Sequence, residues 1–245
     1  SNTLTTEGQS VTFVYVDDTE GWKNTMDSTS NITGNPNLAA TGGTITTSGD
    51  FKIHTFTGPG TFTVCRVSET AANNIVSYLV IAGGGSGGNG GGSSGGSGAA
   101  GAGGGAGGYR ENKSPVDSYT SSPIEGSADI TVTAQAYPIT VGSGGATSPA
   151  GGGVSNPGSN SIFSTITSTG GGGGGVRQAC VPGRQDGQPG GSGGGGTINV
   201  PGKGAGNTPP VSPPQGQPGG QTSPSGNNSG GGGGGAINDG GDAPD

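Results

Sequence analysis

A chain of 245 residues with 62 glycines, 17 prolines and only 25% hydrophobic residues cannot enclose one large conventional core, since ordinary globular chains are roughly 45–50% apolar. Only 9% of the residues are charged and the net charge is −7, which excludes charge-driven disorder and a basic nucleic-acid surface. Glycine comes in uninterrupted runs such as Gly170–Gly175 rather than in a Gly-X-Y register, so collagen is excluded as well.

What remains is low-complexity disorder or an unusual glycine architecture. The longest apolar run, Val76 to Ala82, is far too short to span a bilayer. A chain opening at Ser1 reads as a fragment or processed product of a longer one. Cys65 and Cys180 lie far apart, which allows one long-range disulfide or two free thiols. Nothing in the sequence brings them together, so they are not expected to form an essential staple.

The predicted elements are short strands. "VTFVYV" (Val11–Val16) alternates and is β-branched, "FKIHTF" (Phe51–Phe56) alternates strictly, and "TFTVCRV" (Thr61–Val67) follows a "GPG" turn. "IVSYLVI" (Ile75–Ile81) reads as the best buried strand. "ADITVTAQAYPITVGSGG" and "NSIFSTITSTGGGGGG" add further β signals, and no stretch carries a helical period. Trp22 and every Tyr and Phe precede Ser164, leaving the last third without an aromatic residue.

From Gly83 to Gly108 the chain is only Gly, Ala, Ser and Asn. Further Gly-rich runs at 83–108, 142–153, 170–175, 190–196, 216–220 and 230–235 alternate with segments containing Pro, Ser, Asn and Gln. Glycine loses more conformational entropy on folding than any other residue, so backbone hydrogen bonds and close packing must compensate. An extended helix of three residues per turn points its N–H and C=O groups outward, and without side chains such helices can bond each other on all sides. At about 3.1 Å per residue the 83–108 run would reach roughly 80 Å if unbroken. The predicted fold class is an all-β N-terminal region followed by a glycine-rich domain of β-strands and packed polyglycine II helices, with essentially no α-helix. The predicted division is 1–50, a short β-rich region that could serve for attachment, and 51–245, the glycine-rich domain.

The succession "HTFTGPGTFTV", "VSYLVIAGGGSGG", "GGGAGGYR", "YPITVGSGG", "GSNSIFSTITSTGGGGGG" and "GNNSGGGGGGA" resembles the glycine-rich domain of tailed-phage tail fibres and related virion proteins, over about residues 51–238. The opening "VTFVYVDDTEGWKNTMDSTSNI" resembles segments of structural proteins of marine tailed phages, cyanophages above all. A more distant likeness is to the tip adhesin of T-even-like phages, whose polyglycine II helices pack as a slab with variable loops. The resemblance implies a tail fibre or fibre-tip adhesin on the virion surface that contacts the host cell. Its implied partners are other virion proteins, further copies of itself (a trimer being one form), and a host surface glycan or outer-membrane protein. Neither nucleic acid nor membrane insertion is implied. A non-recognition spacer or decoration fibre is the rival reading, and a bacterial surface filament or matrix protein a third.

No catalytic set is legible, and no enzyme activity, cofactor or metal is expected. The lone His54 sits in an alternating strand and reads as structural. "GTINVPGKG" fails as a P-loop, with Gly where Ser or Thr must follow the Lys. Asp17–Asp18 and Asn238, Asp239 and Asp242 lack EF-hand spacing and read as solvated turns. The inserts "RENKSPVDSYTSSPIEGSADI" and "VRQACVPGRQDGQP" match no motif and hold most of the large polar side chains beyond residue 82. They make Tyr109, Arg110, Tyr119, Arg177, Gln178, Arg184, Gln185 and Asp186 the candidate host-binding residues. For Tyr109 and Tyr119 the equal alternative is sealing the seam between the β part and the glycine bundle.

Overall fold

The computed structural model describes residues 11–16, 18, 22–27, 37–90, 100–147, 154–176, 185–197, 202–222 and 229–244. Its regular elements are strands and one 3₁₀ turn, Ala71–Asn74. β1 (Val11–Tyr15) and β2 (Trp22–Asp27) pair antiparallel with a bulge between Thr12 and Phe13. β4 (Thr44–Ser48) and β5 (Phe51–Thr55) form a hairpin. β3 (Ala39–Thr41) pairs with β6 (Gly60–Arg66), so strand pairing crosses position 50, where the sequence suggested a division. The expected strand Ile75–Ile81 is interrupted at Ser77 into β7 (Ile75–Val76) and β8 (Tyr78–Ile81). They serve two partners: β7 pairs with β10 (Ile130–Thr131) and β8 with β9 (Tyr109–Asn112).

The largest sheet has the order β13-β12-β11-β6-β3, where β11 is Ala136–Thr140, β12 Ser161–Phe163 and β13 Ile166–Ser168. Alternation along β6 and β8 sends Phe62, Val64, Tyr78 and Val80 inward. They meet Ala40, Ile130, Val132, Tyr137 and Ile166 in one core. Phe163 stands edge-on to Phe62, Tyr78 and Tyr137 at centroid distances of 6.0, 6.3 and 6.2 Å. The aromatic residues are thus concentrated where a conventional core can form. The His54 ring stands edge-on to Phe62 at 5.0 Å, and its Nδ1 lies 2.8 Å from the Gly42 carbonyl oxygen.

Each hairpin of this core runs on into glycine without losing register. β8 and β9 pair from Tyr78↔Asn112 to Ile81↔Tyr109. The same pairing continues as Ala82 N–H to Gly108 O, Gly85 to Gly105 and Gly88 to Ala102, at 3.1, 2.8 and 2.8 Å. The spacing changes from two residues to three, the signature of a three-fold extended helix. β12–β13 continues likewise, Gly158 donating to Gly171 O at 2.9 Å, and β11–β12 through Ser159 to Ser143 O at 2.9 Å. Among the described glycines only Gly42, Gly43 and Gly49 have positive φ, so the helices have the left hand of polyglycine II.

Segment 190–197 shows the packing most fully. Its amides donate in rotation to three neighbours: Ser192 and Gly195 to 103–106, Gly193 and Gly196 to 217–220, Gly194 and Thr197 to 185–188. Its carbonyls accept from three others: Gly172 and Gly175, Gly204 and Asn207, Gly231 and Gly234. Six surrounding helices mean hexagonal packing. Tracing all such bonds gives three stacked layers. One holds 142–147, 82–90, 100–108, 230–235 and 240–243 side by side; the middle one 154–160, 169–176, 190–197 and 215–221; the last 185–188 and 202–208. The 83–108 run is therefore not one long rod. It doubles back on itself, because an antiparallel return satisfies backbone groups that a lone helix would leave open.

Glycine is required inside this lattice. A Cβ at Gly172, Gly193, Gly194 or Gly233 would collide with a neighbouring backbone carbonyl. Serine is tolerated where its hydroxyl does the work of an amide: Ser192 Oγ donates to Gly235 O at 3.0 Å, and Ser155 Oγ and Ser168 Oγ donate to the carbonyls of Gly174 and Gly108.

Candidate functional site

The lattice has two unlike ends. All helices that continue a strand leave the sheet on the same side, because antiparallel neighbours share their turns and exits alternately. Segments 82–90, 142–147, 169–176, 190–197 and 215–221 run outward, and 100–108, 154–160, 185–188, 202–208 and 230–235 return. Consequently 90 and 100, 147 and 154, 176 and 185, 197 and 202, and 222 and 229 all lie at the end remote from the sheet. A shallow depression of about 360 Å³ lies near that end, lined by Ser86, Gly87, Gly88, Asn89, Gly145 and Thr147.

The candidate residues divide between these ends. Tyr109 and Arg110 open β9, and Tyr119 lies in the insert that follows it, all at the sheet end. Gln185 and Asp186 stand at the remote end, where the Gln185 carbonyl accepts from the Thr197 amide at 2.7 Å and hydroxyl at 3.1 Å. The Asp186 side chain is exposed and lies over Gly202. Arg177, Gln178 and Arg184 lie outside the described residues, as does Cys180. Cys65 is an exposed free thiol whose sulfur approaches Thr63 O at 3.8 Å.

At the sheet end the insert is tied down by its own polar groups. The buried Glu111 accepts from Tyr109 O–H at 2.7 Å and from the Ser122 amide at 3.3 Å. Glu125 accepts from the Lys113 amide at 2.9 Å and from the Ser121 hydroxyl, and these bonds, the hydroxyl first, hold its carboxyl below the usual range. Asn112 donates to Asp129 at 2.8 Å. Tyr119 stands edge-on to Phe51 at 6.0 Å with Lys113 Nζ 5.9 Å from its ring centre. Burial raises the phenol of Tyr109, the bond to Glu111 adding to it. Alternation on β9 puts Tyr109 across from Ile81 and Arg110 across from Val80, hence on opposite faces. Tyr109 is half-buried and its amide donates to the Gln215 carbonyl at 2.8 Å, whereas Tyr119 is exposed and meets Phe51 and Lys113, residues outside the glycine runs.

A family model, the glycine-rich domain, matches residues 55–245. The chain belongs to the glycine-rich domain family. No curated protein and no solved structure matches it. The matched span begins at the last residue of β5 and takes in the core strands β6 to β13 with every layer of the lattice.

Within this glycine-rich domain no sequence pattern marks Gln215, the largest fully buried side chain among the described residues. It is 1% exposed; its Oε1 accepts from the Thr169 amide at 2.9 Å, its Nε2 donates to Pro209 O at 3.0 Å, and its carbonyl accepts from Tyr109 N–H at 2.8 Å. A glutamine in a Pro/Gly segment carries no periodic signal that could mark it as a joint. The described residues include no cluster of His, Cys, Asp or Glu suited to a metal, and no helix long and apolar enough to cross a membrane.

Proposed function

We propose that this glycine-rich domain is a non-enzymatic virion protein of a tailed phage, a tail fibre or fibre-tip adhesin that meets the host cell at the lattice end remote from the sheet. The observation that carries the reading is the gathering of chain reversals at that end, held by a hydrogen-bonded scaffold. Connections at the end of a rigid scaffold tolerate sequence change, while the scaffold fixes their position. The sheet end is then the side turned toward other virion proteins. A host surface glycan or outer-membrane protein is the ligand class, met by hydroxyl-, amide- and carboxylate-bearing side chains such as Gln185 and Asp186.

The spacer reading is favoured by one observation, the internal bonding of Glu111, Glu125 and Tyr119, which engages the insert at the sheet end with the protein itself. Segment exchange separates the two readings. Replacing residues 177–184 by an unrelated segment of equal length, which keeps the lattice helix 185–188, is expected to abolish binding to bacterial outer membranes or their isolated surface glycans. Exchanging Ser114–Asp129 is expected to leave it intact. Binding that survives the first exchange unchanged sinks the adhesin reading in favour of the spacer.

A further inference from the structure

The layer formed by 142–147, 82–90, 100–108, 230–235 and 240–243 has an uncovered outer side, where helices 82–90 and 100–108 carry only small groups such as the exposed Ala106 methyl. In hexagonal packing each helix donates in three directions, and 82–90 uses two: Ala82, Gly85 and Gly88 bond 102–108, and Gly83 and Ser86 bond 156–159. The third direction belongs to Gly84 and Gly87, whose amides have no partner among the described residues. Helix 100–108 repeats the pattern. Ala102, Gly105 and Gly108 donate inward, Gly103 and Ala106 donate sideways to 231–234, and the amides of Gly104 and Gly107 are left over. The unused groups recur every third residue and point away from the two underlying layers.

The fold does not explain glycine at two of these positions. A Cβ at Gly84 would come no closer than 3.5 Å to any neighbour, and one at Gly87 no closer than 3.6 Å, ordinary contact distances. Inner glycines such as Gly172 meet carbonyls at collision distance instead. Glycine where alanine fits costs stability through chain entropy, so packing within one copy does not account for glycine at 84 and 87. The group complementary to donors and acceptors on a three-residue repeat is another polyglycine helix.

We propose that this face is an interface with a second copy of the chain, the two outer layers mating about a two-fold axis and extending the lattice from one copy into the next. Each face carries both unused donors and unused acceptors, as a self-complementary contact requires. With helices about 4.8 Å apart and rising about 3.1 Å per residue, the five helices at their own lengths present roughly 500 Å². Mating buries about 1,000 Å² in total, at the lower edge of specific interfaces.

Sedimentation of the chain over a concentration series tests this, with the double variants G84A/G87A and G84L/G87L. The wild-type chain is expected to dimerise, and both variants to weaken the dimer by roughly a hundredfold or more because the added carbons block close approach. At concentrations where the wild type is monomeric their thermal midpoints should not fall, since neither position is enclosed in the monomer. A wild-type chain that stays monomeric overturns the proposal, as does a G84L/G87L dimer of wild-type affinity. Hydrogen exchange guards against a folding defect in the variants. In the wild type, the amides of Gly84, Gly87, Gly104 and Gly107 should slow together as the dimer forms, and unchanged rates during dimerisation overturn the assignment.

Discussion

Gly88 donates its amide to the Ala102 carbonyl at 2.8 Å in the register that pairs Tyr78 with Asn112 in the neighbouring sheet. A strand pair with a packed aromatic core thus fixes the alignment of two segments that have no side chains to align themselves. Per residue, a net backbone hydrogen bond contributes about 0.5–1.5 kcal/mol while ordering costs about 1–2 kcal/mol, so a glycine helix is close to balance and needs a template. The core supplies it.

The amides of Gly171, Gly172 and Gly174 donate to Gly83, Ser192 and Ser86 at 2.9 Å each. They should exchange with solvent hydrogen far more slowly than unstructured glycine, with protection approaching the global stability. Random-coil rates at these three positions would rule out the lattice.

Gly172→Ala places a methyl against the Gln188 carbonyl from an adjacent helix. Since both sides of the contact are backbone, relaxation is limited and a loss of about 3 kcal/mol or more is expected. In the monomer, at low protein concentration, Gly84→Ala should be neutral or stabilising by up to ~1 kcal/mol through the unfolded state. The difference between the two melting temperatures is the check.

Gln215→Ala removes the acceptor of the Thr169 amide and the donor to Pro209 O together. Leaving those groups unpaired beside a newly emptied volume should cost about 2–4 kcal/mol. A denaturant midpoint within error of the wild type would show that water replaces the side chain at this joint.

Stability should fall at alkaline pH. Burial raises the Tyr78 phenol, with Arg110 opposing and Asp129 adding to the shift, and Tyr109 is raised as well. Above the ordinary tyrosine pKa of about 10 the unfolded chain releases these protons while the folded chain retains them, so unfolding gains as pH rises through the folded values. Tyr78→Phe should lower stability at neutral pH, because the bond to Ala128 O at 2.9 Å is lost, yet flatten the alkaline decline. An equal decline in wild type and variant would assign the effect to other groups.

Composition and pattern by themselves determined that the chain is β-rich without α-helix, and that its glycine runs have backbone bonding as their main route to order. The alternation in Phe51–Phe56 and Thr61–Val67 located β5 and β6, because side chains on a half-buried strand leave a two-residue trace. Strands such as Ala39–Thr41, Thr44–Ser48 and Tyr109–Asn112 left little trace: they are short or polar, and their pairing with distant partners decides their conformation. Only the tertiary structure decided that 83–108 doubles back, that Tyr109 and Asp186 stand at opposite ends, and that Gly84 and Gly87 are bare while Gly172 is enclosed. A glycine run has no side chains to record its neighbours, so its partners are set by the register inherited from the sheet and by the three-fold direction of its own amides.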